Sequence, residues 1–332
     1  MRGKWRAAVP GLVLALLLAP GARAYALEAS ELVPVGSTVG IRLDMGGVMV
    51  AGLTDVQTAD GAVCPAGDAG LKSGDVITRI GAYDTPGAAE FLTAVNRLDG
   101  GTVELTALRD GREVRFQVTP VCSEDGAYHM GLWLRDGISG IGTVTFYDPV
   151  SGTYGALGHG INDLDTGELL PFESGTLTAS SVVDVIPGAA GTPGELCGEF
   201  TPDAALGTVE RNTAGGIFGS GDFGAYGTPV PVAEESETKL GPATILANVD
   251  GGAVEEFSVE ISRIYRGGED NRFLLLTVTD EDLLSRTGGI VQGMSGSPIL
   301  QDGKLVGAVT HVLVNDPTRG YGISIRDMLD AA

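Results

Sequence analysis

Glycine takes 52 of the 332 positions in this chain, more than twice the usual share of about 7%. No G-X-Y period runs through them, which excludes a collagen. They sit instead between short apolar runs such as Gly47-Val48-Met49-Val50-Ala51-Gly52. Sharp turns between short strands use glycine's freedom at positive φ, so the pattern suits β structure better than helical bundles. With 43% hydrophobic residues the chain is too apolar for disorder. Its length allows two or three globular units, each able to bury a core. Lysine and arginine number 21 against 43 acidic residues, a formal charge of −22 that argues against nucleic acid as a partner.

The first 24 residues read as a separate object. Arg2, Lys4 and Arg6 precede an apolar run from Ala7 to Ala19, and Ala22-Arg23-Ala24 forms an A-x-A cleavage pattern. This is the layout of a secretory signal peptide. The run is shorter than the roughly 20 residues a membrane span needs; an uncleaved N-terminal anchor is the competing reading. Residues 25–38 then lead into the first globular unit. The three cysteines, Cys64, Cys122 and Cys197, are an odd number and include no C-x-x-C pair. They make neither a disulfide framework nor a zinc site, although a Cys64–Cys122 bridge is conceivable. No metal or cofactor is expected.

Residues 39–120 form the first unit. Val39-Gly40-Ile41-Arg42-Leu43 alternates, Ala88 to Leu98 carries Phe91, Leu92, Val95 and Leu98 on one helical face, and Asp110-Gly111 marks a hairpin between two alternating runs. Between them, Pro65-Ala66, Ala69-Gly70-Leu71 and Gly74-Asp75-Val76-Ile77 resemble the most recognisable segment of bacterial, protease-associated PDZ domains. The resemblance implies a β-sandwich with two short helices, which captures an extended peptide as an added strand. It also implies that the peptide-binding strand falls at Val39, Gly40 and Ile41.

Residues 121–332 form the second unit. Gly131–Arg135, Ile141–Tyr147, Ala243–Val249, Phe257–Ile264 and Phe273–Val278 read as strands, and no long helical period precedes the last few residues. A barrel or sandwich of short strands fits. Within it, Gly293-Met294-Ser295-Gly296-Ser297-Pro298 puts a serine on a glycine-flanked turn ahead of an apolar strand. Such a turn exposes a hydroxyl and lets backbone N–H groups converge as an oxyanion hole. It shares four of six positions with the G-D-S-G-G-P segment of chymotrypsin-like proteases.

Only three histidines could act as its base: His129, His159 and His311. His159, between Gly158 and Gly160 and ahead of the serine, fits best; His311, on the strand after the serine hairpin, could border a substrate pocket. Acids between His159 and Ser295 are numerous. Asp163 and Asp165 lie in a polar turn, too close to His159 in sequence to orient it easily and without the twelve-residue loop calcium would need. Asp280 ends the apolar run Phe273–Thr279, where an orienting carboxylate could sit.

Gly158-His159-Gly160-Ile161, Thr279-Asp280 and the long run from Gly288 to Ile299 resemble the signature segments of the stage IV sporulation protein B (SpoIVB) peptidases. Gly131–Asp136, Gly140–Thr143 and Val314–Thr318 do so too. The resemblance implies an exported serine endopeptidase, with a PDZ domain followed by a chymotrypsin-like double β-barrel. It makes His159, Asp280 and Ser295 the triad, with the N–H groups of Gly293 and Ser295 as oxyanion hole. It further implies self-cleavage, then cleavage of a membrane-bound regulator between forespore and mother-cell membranes, which frees an intramembrane protease to mature a sigma factor. A catalytically inactive PDZ adaptor on a protease fold is the alternative. Two departures from ordinary chymotrypsin-like enzymes stand out: Asp280 lies only 15 residues before Ser295, and Met294 replaces the aspartate that receives a freed N-terminus in trypsin-type zymogens.

Overall fold

The computed structural model describes residues 29–332 apart from 99, 125, 164–166 and 267–271. The expected signal segment lies outside the described residues. The fold is mainly β: two closed six-stranded barrels and a small PDZ unit.

The PDZ unit follows from its sequence motifs. Val103–Arg109 and Arg112–Val118 form a hairpin whose turn residues Asp110 and Gly111 both have positive φ, 51° and 71°. That is the twist a two-residue hairpin requires. The helix Ala88–Val95 buries Phe91, Ala94 and Val95 against Val48, Val50, Ile77 and Leu105. Asp75, 1% exposed, is held by Arg109 through two 2.7 Å bonds, and Arg109 in turn lies over the Phe116 ring. Leaving this buried carboxylate without its arginine would cost about 3–5 kcal/mol.

The first barrel closes through Thr38–Leu53, Leu132–Asp148, Thr153–Ala156, Gly216–Gly221, Glu195–Thr213 and Ser174–Ile186, the last pairing back on the first. Val39, Ile41, Leu43, Val144, Tyr154, Leu177 and Ile217 fill it. The second closes through Gly241–Asp250, Ala253–Ile264, Leu274–Val278, Asp316–Ser324, Lys304–Leu313 and Pro298–Gln301 around Ile245, Phe257, Ile261, Leu276, Ile299 and Val309.

Thr38–Leu53 and Leu132–Asp148 each serve two units. Thr38–Asp44 pairs with Gly137–Thr143 inside the barrel, whereas Met49–Leu53 pairs with Leu132–Arg135 inside the PDZ unit. The PDZ unit is thus inserted between two barrel strands. Residues 38–44 belong to the barrel and 128–135 to the PDZ unit, so the unit boundaries differ from the division at 39 and 120 that the sequence suggests.

Candidate active site

Ser295 sits where the two barrels meet. Its turn is shaped by Gly293 and Gly296, at φ 98° and 100°, a region that side chains disfavour. Gly296 leaves no space either, since a Cβ there would strike the Thr143 carbonyl and lie 2.6 Å from the Leu157 nitrogen. Thr143, on the first barrel, braces the turn. Its N–H donates to the Ser295 carbonyl at 3.0 Å and its hydroxyl to the Gly293 carbonyl at 2.8 Å. The Thr143 carbonyl accepts from Leu157 N–H at 3.1 Å, which carries the same support to the segment before His159. Leu157 and Gly158, at φ 70° and 69°, then turn the chain so that His159 enters the junction.

His159 Nδ1 lies 2.9 Å from the Gly160 carbonyl. A carbonyl can only accept, so Nδ1 carries the proton and Nε2 keeps its lone pair. An aspartate usually enforces this tautomer; here the backbone does. The His311 ring lies 4.9 Å from that of His159. Burial holds His159 below its ordinary pKa of 6.5 against the opposing Gly160 bond. Desolvation, then His159 and Arg272, push His311 down to about 4. Both rings are therefore neutral at pH 7.

The Ser295 hydroxyl donates to the Thr310 carbonyl at 2.7 Å and makes no hydrogen bond to His159. Among the described residues, the N–H groups of Gly293 and Ser295 donate to no protein acceptor. Two unspent donors beside the serine are what an oxyanion hole offers.

Asp280 is elsewhere. It is the N-cap of the helix Glu281–Thr287: Oδ1 accepts from Asp282 and Leu283, Oδ2 from Ser258, all at 3.1 Å. Those bonds hold its carboxyl below the usual carboxylate value, and it neither bonds to His159 nor contributes to its electrostatics. The structure therefore does not join Asp280 to the other two expected members. The segment Asp280-Glu281-Asp282-Leu283, followed by Gly288 at φ 73°, is an N-cap and C-cap signature that accounts for the residue without catalysis. Asn212 also shapes the site. Its side chain accepts from Ile161 N–H and donates to the Ile161 carbonyl, both at 2.8 Å, which fixes the loop two residues beyond His159. A lone asparagine in a strand gives no signal of this.

Val39, Gly40 and Ile41 are buried inside the first barrel and paired on both sides, with Ile41, Gly40 and Val39 facing Gly140–Gly142 and Leu177–Ala179. No peptide can add there. The PDZ unit's available edge is Leu132–Arg135, paired with Met49–Leu53 on one side only. Beside it a cleft of about 350 Å³ is lined by Phe91, Leu92 and Val95 of the helix, by Leu132 and Leu134, and at one end by Tyr128–Gly131, where His129 also lies. Val39–Leu43 and Leu132–Arg135 show a similar alternation, and they lie in the two long strands that pair with each other. The period alone does not say which is the edge.

All three cysteines are free thiols. Among the described residues no cluster of three His, Cys, Asp or Glu could hold a metal.

Two barrels with a glycine-flanked serine and a histidine at their junction, and a PDZ unit spliced into the first, define a PDZ-bearing serine peptidase. The family is narrower still: residues 126–329 match the SpoIVB peptidase (S55) model, and the chain belongs to that family. No curated protein matches. Among solved structures, the PDZ domain of an SdrC-like protein from Listeria monocytogenes is 22% identical, covering 25% of this chain and 87% of that one, at a TM-score of 0.20. The Rv3671c protease in its inactive form is 15% identical, covering 58% of this chain and 82% of that one, at a TM-score of 0.34.

Proposed function

We propose that this chain is an exported serine endopeptidase in which Ser295 is the nucleophile and His159 the general base. The observation that carries the reading is the convergence of a tautomer-fixed histidine, a glycine-flanked serine and two unspent N–H groups at one barrel junction. Rotation about the Ser295 side-chain bond releases Oγ from the Thr310 carbonyl and turns it toward Nε2. His159 takes the proton as Oγ attacks the peptide carbonyl, and the N–H groups of Gly293 and Ser295 receive the oxyanion. The imidazolium then protonates the leaving amine, and water, activated by the same nitrogen, hydrolyses the acyl-enzyme. The Gly160 carbonyl keeps the tautomer correct but lacks the full charge an aspartate would offer the imidazolium. That suits a slow, selective protease.

Family membership extends the proposal to biology. The substrates are the chain itself and a membrane-bound regulator of an intramembrane protease. The setting is the space between forespore and mother-cell membranes, and the outcome is activation of a sigma factor. One observation favours a second reading, an inactive PDZ adaptor: the Ser295 hydroxyl bonds to Thr310 and not to His159. Expression of the full chain beside Ser295→Ala separates the two. The peptidase reading expects trimming of the parent near its N-terminus and an intact Ser295→Ala chain; identical, uncut products from both would favour the adaptor.

A further inference from the structure

His159 and His311 come from different barrels and meet across the junction that holds Ser295. His159 follows the first-barrel strand Thr153–Ala156, and His311 lies on the second-barrel strand Lys304–Leu313. Their rings stand 4.9 Å apart, centroid to centroid. The peptidase mechanism uses His159 alone, which leaves His311 without a chemical role. His311 is solvent-exposed, and its ring makes no hydrogen bond among the described residues. It follows Thr310, whose carbonyl accepts from the Ser295 hydroxyl, so the serine borders the pair.

The spacing is that of two imidazoles on one metal ion. A zinc ion sits about 2.0–2.1 Å from an imidazole nitrogen, which puts two such rings at a tetrahedral angle with centroids about 5.2 Å apart. The observed 4.9 Å is within a small side-chain rotation of that arrangement. On His159 the Gly160 carbonyl takes the Nδ1 proton and leaves the Nε2 lone pair free. A carbonyl at the second nitrogen is also what orients a metal-binding imidazole and raises its basicity. The protein supplies two ligands and no third, since no cluster of three His, Cys, Asp or Glu occurs among the described residues. Water completes the four positions, which makes the ion a reversible occupant and not a structural one. Arg272 is the adverse group. Its guanidinium lies over the Tyr321 ring, 5.0 Å from the centroid, and its charge acts on His311.

We propose that His159 and His311 form a zinc site that bridges the two barrels and reversibly shuts off the peptidase. Imidazole nitrogens select zinc over magnesium and calcium, which favour oxygen ligands. Zinc on His159 Nε2 occupies the lone pair that must receive the Ser295 proton, so the bound form has no general base. The inhibition rests on the peptidase reading; the metal site does not.

The test uses the full chain with Ser295→Ala and isotope-labelled histidine, followed by proton–nitrogen correlation spectra of the rings during titration with zinc sulfate. The His159 and His311 signals should shift together and saturate, whereas magnesium at the same concentrations moves neither. Reading the rings separates this site from zinc held by surface carboxylates or thiols. In His311→Gln, the His159 shift should need at least about ten-fold more zinc. Arg272→Gln should need less zinc than its parent, and this variant decides the matter if His311→Gln does not fold. In the chain with Ser295 intact, zinc should slow fluorophosphonate labelling of Ser295 and EDTA should restore it. Ring signals unmoved by zinc, or an unaltered zinc dependence of His159 in folded His311→Gln, would overturn the site. Labelling that proceeds unchanged once both rings are saturated would overturn the inhibition. A parent that never takes label refutes the peptidase reading instead, and the ring shifts still decide the site.

Discussion

Replacement of Asp280 separates a structural carboxylate from a catalytic one. In this structure Asp280 caps the helix Glu281–Thr287 and ties it to Ser258. Asparagine caps as well as aspartate, so Asp280→Asn keeps the bonds to Asp282 and Leu283, but its amide nitrogen cannot accept from the Ser258 N–H, and the loss of that one bond costs about 0.5–1.5 kcal/mol. Asp280→Ala removes all three bonds and costs about 0.5–2 kcal/mol. About 1 kcal/mol in a domain of this size lowers Tm by roughly 2–4 °C. Neither change touches the His159 tautomer, which Gly160 sets. kcat for both folded variants should therefore stay within about threefold of the parent, whereas a lost triad acid would cut it about 10⁴-fold. The assay is peptide cleavage at 25 °C with thermal melts on the same samples. A drop of 10³-fold or more for a fully folded Asp280→Asn would refute the cap reading and return Asp280 to the triad. The pH dependence gives a second handle. The Leu283 bond chiefly holds the Asp280 carboxyl below 3.8, so its contribution is complete above that pH and fades only as the pH falls through the lower folded value. Asp280→Asn should flatten the stability curve there and nowhere else.

Other outcomes follow from the same geometry. The base must be neutral and burial lowers the His159 pKa, so the acid limb of kcat/KM should have its midpoint below pH 6.5; a midpoint above 7 would contradict this. Both histidines bind protons more weakly folded than unfolded. Stability should thus decline as the pH falls below 6.5, continuing to about 4 where His311 becomes charged in the folded state, and His311→Gln should lessen the decline in thermal melts. Gly293→Ala would put a Cβ 3.1 Å from that of Leu196 at φ 98°, displacing an oxyanion donor, so kcat should fall about 10²–10³-fold with KM little changed. Unaltered kcat would remove Gly293 from the oxyanion hole.

Much of this molecule is legible where the chemistry is local. The Asp110-Gly111 hairpin, the Phe91 and Val95 helix face and the glycines around Ser295 are each dictated by residues within a few positions. So is the capping role of Asp280, since the acids after it and Gly288 mark both helix ends. What stays hidden depends on pairing across long stretches. Alternation shows that Val39–Leu43 and Leu132–Arg135 are strands, but not that the first closes a barrel while the second edges the PDZ cleft. The Thr143 brace joins residues 150 positions apart and the Asn212 clamp joins residues 51 apart, with no periodicity to announce either. The Gly160 carbonyl that orients His159 belongs to the backbone, which every residue has, so only geometry reveals it.

The central claim is that Ser295 is a nucleophile activated by His159 alone. The most direct measurement is labelling of the full chain with a fluorophosphonate, followed by mass spectrometry of the modified peptide. The account predicts label on Ser295 in the parent and in Asp280→Asn, with loss in Ser295→Ala and near-complete loss in His159→Gln. Label absent from a folded parent, carried on another residue, or lost in Asp280→Asn would contradict it.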